Sequence, residues 1–385
     1  MKRRFAFLVA VTVPLLPSPA LACILCSGNS QNLSTFRQNI AQARLVLYGT
    51  LANARLSGDD ANGGLTDFHI EKVLKTDPIL DGRRMIVLPR YLPADPGSPP
   101  RFLVFCDVYK DKEGKAALDP FRGIPIKSKA LLDYLIGIMK LDPSDRASAL
   151  LYFFKFLDHS DETIAADAYA EFARATDQEI GRVAGKLSAA RLRRWILDPQ
   201  TPGARLGLYA FLLGGCGGKA DAALLRGCLE KPDERTGPVL DGFLCGYVEL
   251  RPKEGWDLAA AILSDSRRPF LERYAVLRAL TFFKGWKPQE TRRDILRCAA
   301  VVIPQGELAD VAIEDLRRWQ WWDLMDDVIA QYPKKSHAAP IVRRAIVRYA
   351  LSCPRPEAAR FIGELRRTDP ELVKDVEETL QFDKK

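Results

Sequence analysis

Residues 340–351 read PIVRRAIVRYAL. Val342, Ala345, Ile346 and Tyr349 stand at i, i+3, i+4 and i+7, which places them on one face of a helix. Pro340 suits the first helical turn, where its missing N–H has no partner to lose. The arrangement recurs upstream. Prolines at 202, 238, 269, 304 and 340 precede the helical segments PGARLGLYAFLL, PVLDGFLCGYVE, PFLERYAVLRAL, PQGELADVAIED and the opening stretch. Their spacings are 36, 31, 35 and 36 residues. A unit of that length holds two helices and two turns, and one such hairpin cannot bury its apolar face alone. A stack of hairpins is therefore expected, each covering the next.

The helical period reaches back to residue 128. Ser128 before KALLDYLIGIM, Asp142-Pro143 before SDRASALLYFFKFL, Thr176 with Glu179 as a capping box, and Thr201-Pro202 are the expected helix starts. About fourteen helices with short loops are expected through to Phe382. LGGCGG (213–218) follows a helix rather than a strand, so it reads as a helix stop and not a phosphate cradle.

Before Ile124–Lys127 the period differs. RLVLYGTL (44–51), TDFHIEKVL (66–74), RMIVLP (84–89) and RFLVFCDVY (101–109) are short and β-like, separated by turn-rich stretches such as SGDDANGG and LPADPGSPP. In the second, Phe68 and Ile70 share one face, and Asp67, His69 and Glu71 the other. Four or five strands in about 100 residues suggest a small barrel or sandwich. NLSTFRQNIAQA (32–43) reads as a preceding helix, with Ser34 as its cap.

The stretch at 340 resembles HEAT repeats, in which a Pro-x-Val-Arg start leads into the second helix. Pro340, Val342, Arg343 and Ala345 carry the match, and the segment at 202 keeps its proline and Arg205. The segment at 269 has Glu272 in that place and Arg273 one later, while those at 238 and 304 carry Asp241 and Glu307. The tetratricopeptide start, Trp-x-x-Leu-Gly-x-x-Tyr, is absent. The expected fold class is thus α+β and multidomain. A small β-barrel, OB-like, spans 23–126, and a HEAT-like α-solenoid spans 127–385.

Residues 1–22 read as a secretory signal peptide. Lys2, Arg3 and Arg4 precede the apolar run Phe5–Leu16, and Ala20-Leu21-Ala22 offers a cleavage site. That run is too short to span a bilayer. The expected location is therefore exported, periplasmic or extracellular. The formal net charge of +8 falls to +5 without those three leader residues. The remaining basic residues alternate with acids, so they read as a solvated helical surface and no nucleic-acid partner is expected.

Eight cysteines fall into two odd sets. Cys216, Cys228, Cys245, Cys298 and Cys353 lie in or beside apolar helices, where free cysteine is usually a small buried hydrophobe. Cys23, Cys26 and Cys106 belong to the β region. Cys23-x-x-Cys26 admits a redox pair, a zinc site, a lipid anchor on Cys23 or a structural disulfide. Export favours the disulfide, with Cys26 joined to Cys106 or, failing that, Cys23 joined to it. Contact with a membrane is expected only if Cys23 is lipidated. A mature chain starting at Cys23, with a second cysteine nearby, then a helix and a small barrel, resembles the netrin/TIMP-like inhibitor domains. The resemblance implies an OB barrel, a disulfide-tethered terminus and, for Cys23, chelation of a protease zinc by its amine and carbonyl. The spacing here is C-x-x-C rather than C-x-C.

No catalytic motif stands out. His69, His159 and His337 are the only histidines, and each reads as a surface or capping residue. Gly-x-Ser-x-Gly, His-Glu-x-x-His and Walker A are absent. In EDLRRWQWWDLMDDV (314–328), Arg317, Arg318, Trp319, Trp321 and Trp322 read either as a partner surface or as an elbow packed between repeats. The expected function is non-enzymatic protein binding by a solenoid surface, without cofactor or metal. The alternatives are an inhibitor-like module acting through Cys23 on a metalloprotease, and an enzyme with an unrecognised site.

Overall fold

The computed structural model describes residues 34–56, 63–110 and 113–382. Helix α1 (Phe36–Gln42) precedes strands β1 (Leu45–Leu56), β2 (Gly64–Lys75), β3 (Met85–Leu88), β4 (Arg101–Lys110) and β5 (Ala116–Pro125). All pairings are antiparallel, in the order β3-β2-β1-β4-β5. The four apolar runs became β1 to β4. β5 is an edge strand whose Pro120, Gly123 and Pro125 interrupt any apolar pattern, and its ladder shifts register beside Pro120. The helix before β1 is capped by Thr35, not Ser34: Thr35 and Gln38 form a reciprocal capping box.

The expected closed barrel is not formed. β3 and β5 are the sheet edges, and no ladder joins them among the described residues. With only four residues, β3 offers little backbone for closure. The sheet does curl: Leu88 and Leu92 from one side, and Phe102, Val104 and Gly123 from the other, wall one cavity of about 320 Å³. Both faces are apolar. Leu45, Leu47, Phe68, Ile86, Val104 and Cys106 enclose the curled interior. Val46, Leu103, Phe105 and Ile124 point the other way, into the same core as the helices. The alternation 45/46/47 and 103/104/105 is the period of two of a strand. Asp67 is not a solvated outer residue: it is buried, and Arg55 holds it at 2.7 Å and Asn53 at 3.0 Å.

Sixteen further helices follow among the described residues. They begin with α2 (Lys129–Met139), α3 (Arg146–Phe154), α4 (Glu162–Ala173), α5 (Asp177–Ala184), α6 (Ala189–Leu197), α7 (Gly203–Cys216), α8 (Lys219–Glu230) and α9 (Leu240–Leu250). Next come α10 (Pro252–Ser264), α11 (Phe270–Trp286), α12 (Pro288–Val302) and α13 (Ala309–Trp319). The last four are α14 (Met325–Ile329), α15 (Pro340–Ser352), α16 (Pro356–Thr368) and α17 (Pro370–Phe382). Ser128 caps α2, and Thr176 with Glu179 caps α5, as their sequences imply. α3 is capped by Asp145 instead of Asp142, which closes a turn onto Ser144. Pro304 lies in the 3₁₀ turn Ile303–Gln305 that ends α12, so it does not open α13.

The repeat spacing reappears in the polar bonds between units. Trp195 Nε1 donates to Asp158 at 2.7 Å, Tyr169 Oη to the Ala204 carbonyl at 3.0 Å, and Arg235 to the Asp198 carbonyl at 2.8 Å. Further along, Lys287 donates to Glu249 at 2.8 Å, Thr281 to Asp315 at 3.1 Å and Arg297 to Asp257 at 2.8 Å. These partners are 34 to 40 residues apart, close to one proline period. Such ties are compatible with a helical repeat region, although α5 also packs on α11, much further along the chain.

The stack is not open throughout. α7 and α9 are buried on every side, which fits sequences apolar all round. They cross through glycines. A Cβ on Gly242 would lie 2.2 Å from the Gly207 carbonyl oxygen, and one on Gly246 would lie 2.2 Å from that of Ala210. LGGCGG does end a helix, at the Gly217 cap of α7, but Gly214 inside it also packs on Gly246. His337 departs from its expected surface place. It is fully buried, with Nε2 2.7 Å from the Ile303 carbonyl, an acceptor only, so that nitrogen carries a proton.

Candidate functional site

The described helices leave two neighbouring cavities along α5, α11, α13 and α15. α13 turns Asp310, Glu314, Asp315 and Arg318 toward Ile341, Arg344 and Arg348 of α15, across a cavity of about 540 Å³. Asp315 and Arg318 also wall a second cavity of about 550 Å³, with Thr281 and Lys284 of α11, Asp177 of α5 and Trp319. Thr176, the cap of α5, lines this second cavity and a third of about 430 Å³ near α1. The first two cavities thus adjoin through Asp315 and Arg318.

Their charges are unevenly accessible. Glu314 is largely covered and accepts from Arg317 at 2.6 and 3.0 Å; Arg318 stands at 3.3 Å and Arg348 at 3.6 Å. Burial works against the Glu314 charge, but Arg317, Arg348 and Arg318 outweigh it, and its pKa falls below the ordinary glutamate value. Arg318 and Arg344 keep side-chain exposures of 65% and 52%, against 15% for Glu314. Arg344 is already paired at 2.9 Å with Asp375, which is equally exposed, so Arg318 is the more available of the two.

Asp315 is the opposite case. Burial dominates and pushes its pKa up to about 6, although Thr281 Oγ1 donates to it at 3.1 Å and Arg318 lies close. The folded state then binds this proton more tightly than the unfolded chain does. The stability Asp315 confers is full below about pH 4 and is lost as pH rises through about 6. Asp315→Asn should accordingly flatten that part of the pH profile. Urea unfolding at pH 4.5 and 7.5 checks it: the wild type should lose more stability between the two than the variant does.

The aromatic–arginine stretch divides. Trp321 is buried, beneath Arg292 and edge-on to Trp319, and Trp322 packs on Tyr349. Tyr349 Oη donates to the Trp321 carbonyl at 2.7 Å, fixing the elbow, and Arg317 is spent on Glu314. Arg318 and Trp319 reach the groove. Asp315, Thr281 and Lys284 belong to no motif; the only signal was that Glu314 and Arg318 stand four apart on one helix face.

Cys106 is fully buried on the curled interior of the sheet, where burial pushes its thiol up to about 12. Cys26 and Cys23, with the signal peptide, lie outside the described residues, and no disulfide joins the described cysteines. Cys216 and Cys298 are likewise raised by burial, to about 11 and about 12. Among the described residues no group of His, Cys, Asp and Glu is placed to hold a metal ion, and no helix is long and apolar enough to cross a membrane. No family model matches the chain, and no curated protein and no solved structure does so either.

Proposed function

We propose that the chain is an exported, non-enzymatic scaffold that binds a protein partner along the groove across α5, α11, α13 and α15. On this reading residues 127–385 are a HEAT-like array, and the curled sheet is a barrel-like module docked on its first helices. The observation that carries the proposal is that two neighbouring cavities share Asp315 and Arg318 as a common wall. Together they span helices distant in sequence, offer the accessible Arg318, and are lined by Trp319 and the exposed Ile341. That mixture of aromatic, aliphatic and arginine contacts suits a partner segment with acidic and apolar side chains.

Site-specific photo-crosslinking tests it. A benzoylphenylalanine at position 341 should give one discrete protein adduct in the native exported fraction. The same probe at Leu197, exposed on α6 away from the groove, should not. Arg318→Glu should abolish the adduct by reversing an accessible charge of the groove. Equal adducts from both positions, or an adduct indifferent to Arg318→Glu, would overturn the proposal.

A further inference from the structure

The two edges of the sheet are not alike. β5 carries Pro120 and Pro125, which have no N–H to offer a neighbour, so that edge is blunted. β3 reads Met85-Ile86-Val87-Leu88, with neither proline nor charge inside it. Its register with β2 sets Thr66 opposite Leu88 and Phe68 opposite Ile86, and the Ile70 N–H donates to the Arg84 carbonyl at 2.9 Å. Hydrogen-bonded pairs therefore fall at Arg84, Ile86 and Leu88, and the N–H and C=O of Met85 and Val87 point to the open side. Neither residue makes a backbone hydrogen bond beyond the ladder among the described residues. Both side chains are exposed, and so is Leu65 on the same face of β2.

The inner side of this edge is open too. Leu88 turns inward and walls the cavity of about 320 Å³ with Leu92, Phe102 and Val104. In a strand laid along β3, each residue shares a face with the one opposite it. Those opposite Ile86 and Leu88 point inward, the second of them at the cavity, and those opposite Met85 and Val87 join the outer apolar patch. Both faces of such a strand meet apolar neighbours, and charge sets its ends. Arg84 precedes β3 and Arg90 follows it; both are exposed, and neither side chain has an ion pair or hydrogen bond among the described residues. A second copy paired through this edge would set Arg84 against Arg90 if antiparallel, and each against its own kind if parallel. Like charges then meet in either case, so the edge suits a different chain.

We infer that β3 is a docking edge for an extended segment of a partner protein, a short apolar run with acidic residues at both ends, which joins the sheet as an added strand. Its backbone meets the free groups of Met85 and Val87, and its acids meet Arg84 and Arg90. This surface lies on the sheet and does not rest on the groove along the helices.

Fluorescence anisotropy of a labelled peptide, Asp-Glu-Val-Thr-Val-Leu-Glu-Asp, titrated with the full chain tests it. Saturable binding at one site is expected, and a counterpart with lysine in place of every acid should bind at least about tenfold more weakly. Val87→Pro removes an N–H from the open side and none from the ladder to β2. It should abolish binding while the melting temperature stays near that of the wild type. Arg84→Glu should weaken the acidic peptide about tenfold and tighten the lysine peptide about fivefold. A misfolded variant cannot gain affinity, so this second substitution separates the edge from the fold. No saturable binding up to about 0.5 mM chain, binding that survives Val87→Pro, or a lysine peptide indifferent to Arg84→Glu would overturn the inference. So would a wild-type dimer in sedimentation that Val87→Pro dissolves, since the edge would then belong to a second copy.

Discussion

Gly246→Val should cost at least about 3 kcal/mol and lower the melting temperature by about 6–12 °C. At this position a Cβ falls 2.2 Å from the Ala210 carbonyl oxygen and 2.8 Å from its carbon. Both are main-chain atoms of α7, so no side chain can swing aside. α7 and α9 are enclosed on all sides, and neither can retreat without parting other packed helices. Gly242→Val, against Gly207, should behave alike. Gly227→Ala is the contrast. A Cβ there meets nothing within 4 Å, so the change should be neutral or stabilise α8 by up to about 1 kcal/mol. Thermal unfolding followed by circular dichroism separates the three. A Gly246→Val variant that melts with the wild type would show that the crossing is not close.

The second large effect belongs to Glu171. It is fully buried on α4 and gathers Thr35, Arg37 and Arg146, while Asp167, one turn earlier, accepts from the Phe36 N–H at 2.8 Å and Tyr134 Oη at 2.7 Å. These bonds seat α1, and with it the lead into β1, on the helices. Glu171→Ala leaves the Arg146 guanidinium largely buried and short of its acceptor, and should cost about 3–5 kcal/mol. Glu171→Gln retains an acceptor and should cost less. Urea unfolding gives the loss, and faster tryptic cleavage at the exposed Arg44 reports release of α1. If Glu171→Ala matches the wild type in both, the junction is held by apolar packing alone.

Much of this architecture was legible because it rests on local rules. Period two in RLVLYGTL and RFLVFCDVY, period 3.6 after Ser128, and the Thr176–Glu179 box all survive into the fold. β5 was obscured because an edge strand tolerates prolines that a reader takes for turns. The closed barrel was an overreach from strand number, since closure depends on the lengths of β3 and β5. The buried arginine that follows Glu272 illustrates the limit for sites. Arg273 is 1% exposed and reaches Gln305 and Glu307 in the next unit, which no spacing rule announces. The groove was illegible for the same reason. Its walls come from α5, α11, α13 and α15, and only the winding of the stack brings Thr176 near Arg318.

Nearest-neighbour stacking is the claim on which the rest depends, and truncation tests it most directly. Removing residues 355–385 deletes α16 and α17, which pack on α15 at the end of the stack. Val342, Ile346 and Tyr349 would lose part of their cover, so solubility should fall. The remaining hairpins still cover one another. The helical circular dichroism signal should therefore drop only by about the share of the two deleted helices, and the rest should unfold near the wild-type temperature. Collapse of all helicity in one step on this deletion would contradict a repeat stack and, with it, the groove that the stack builds.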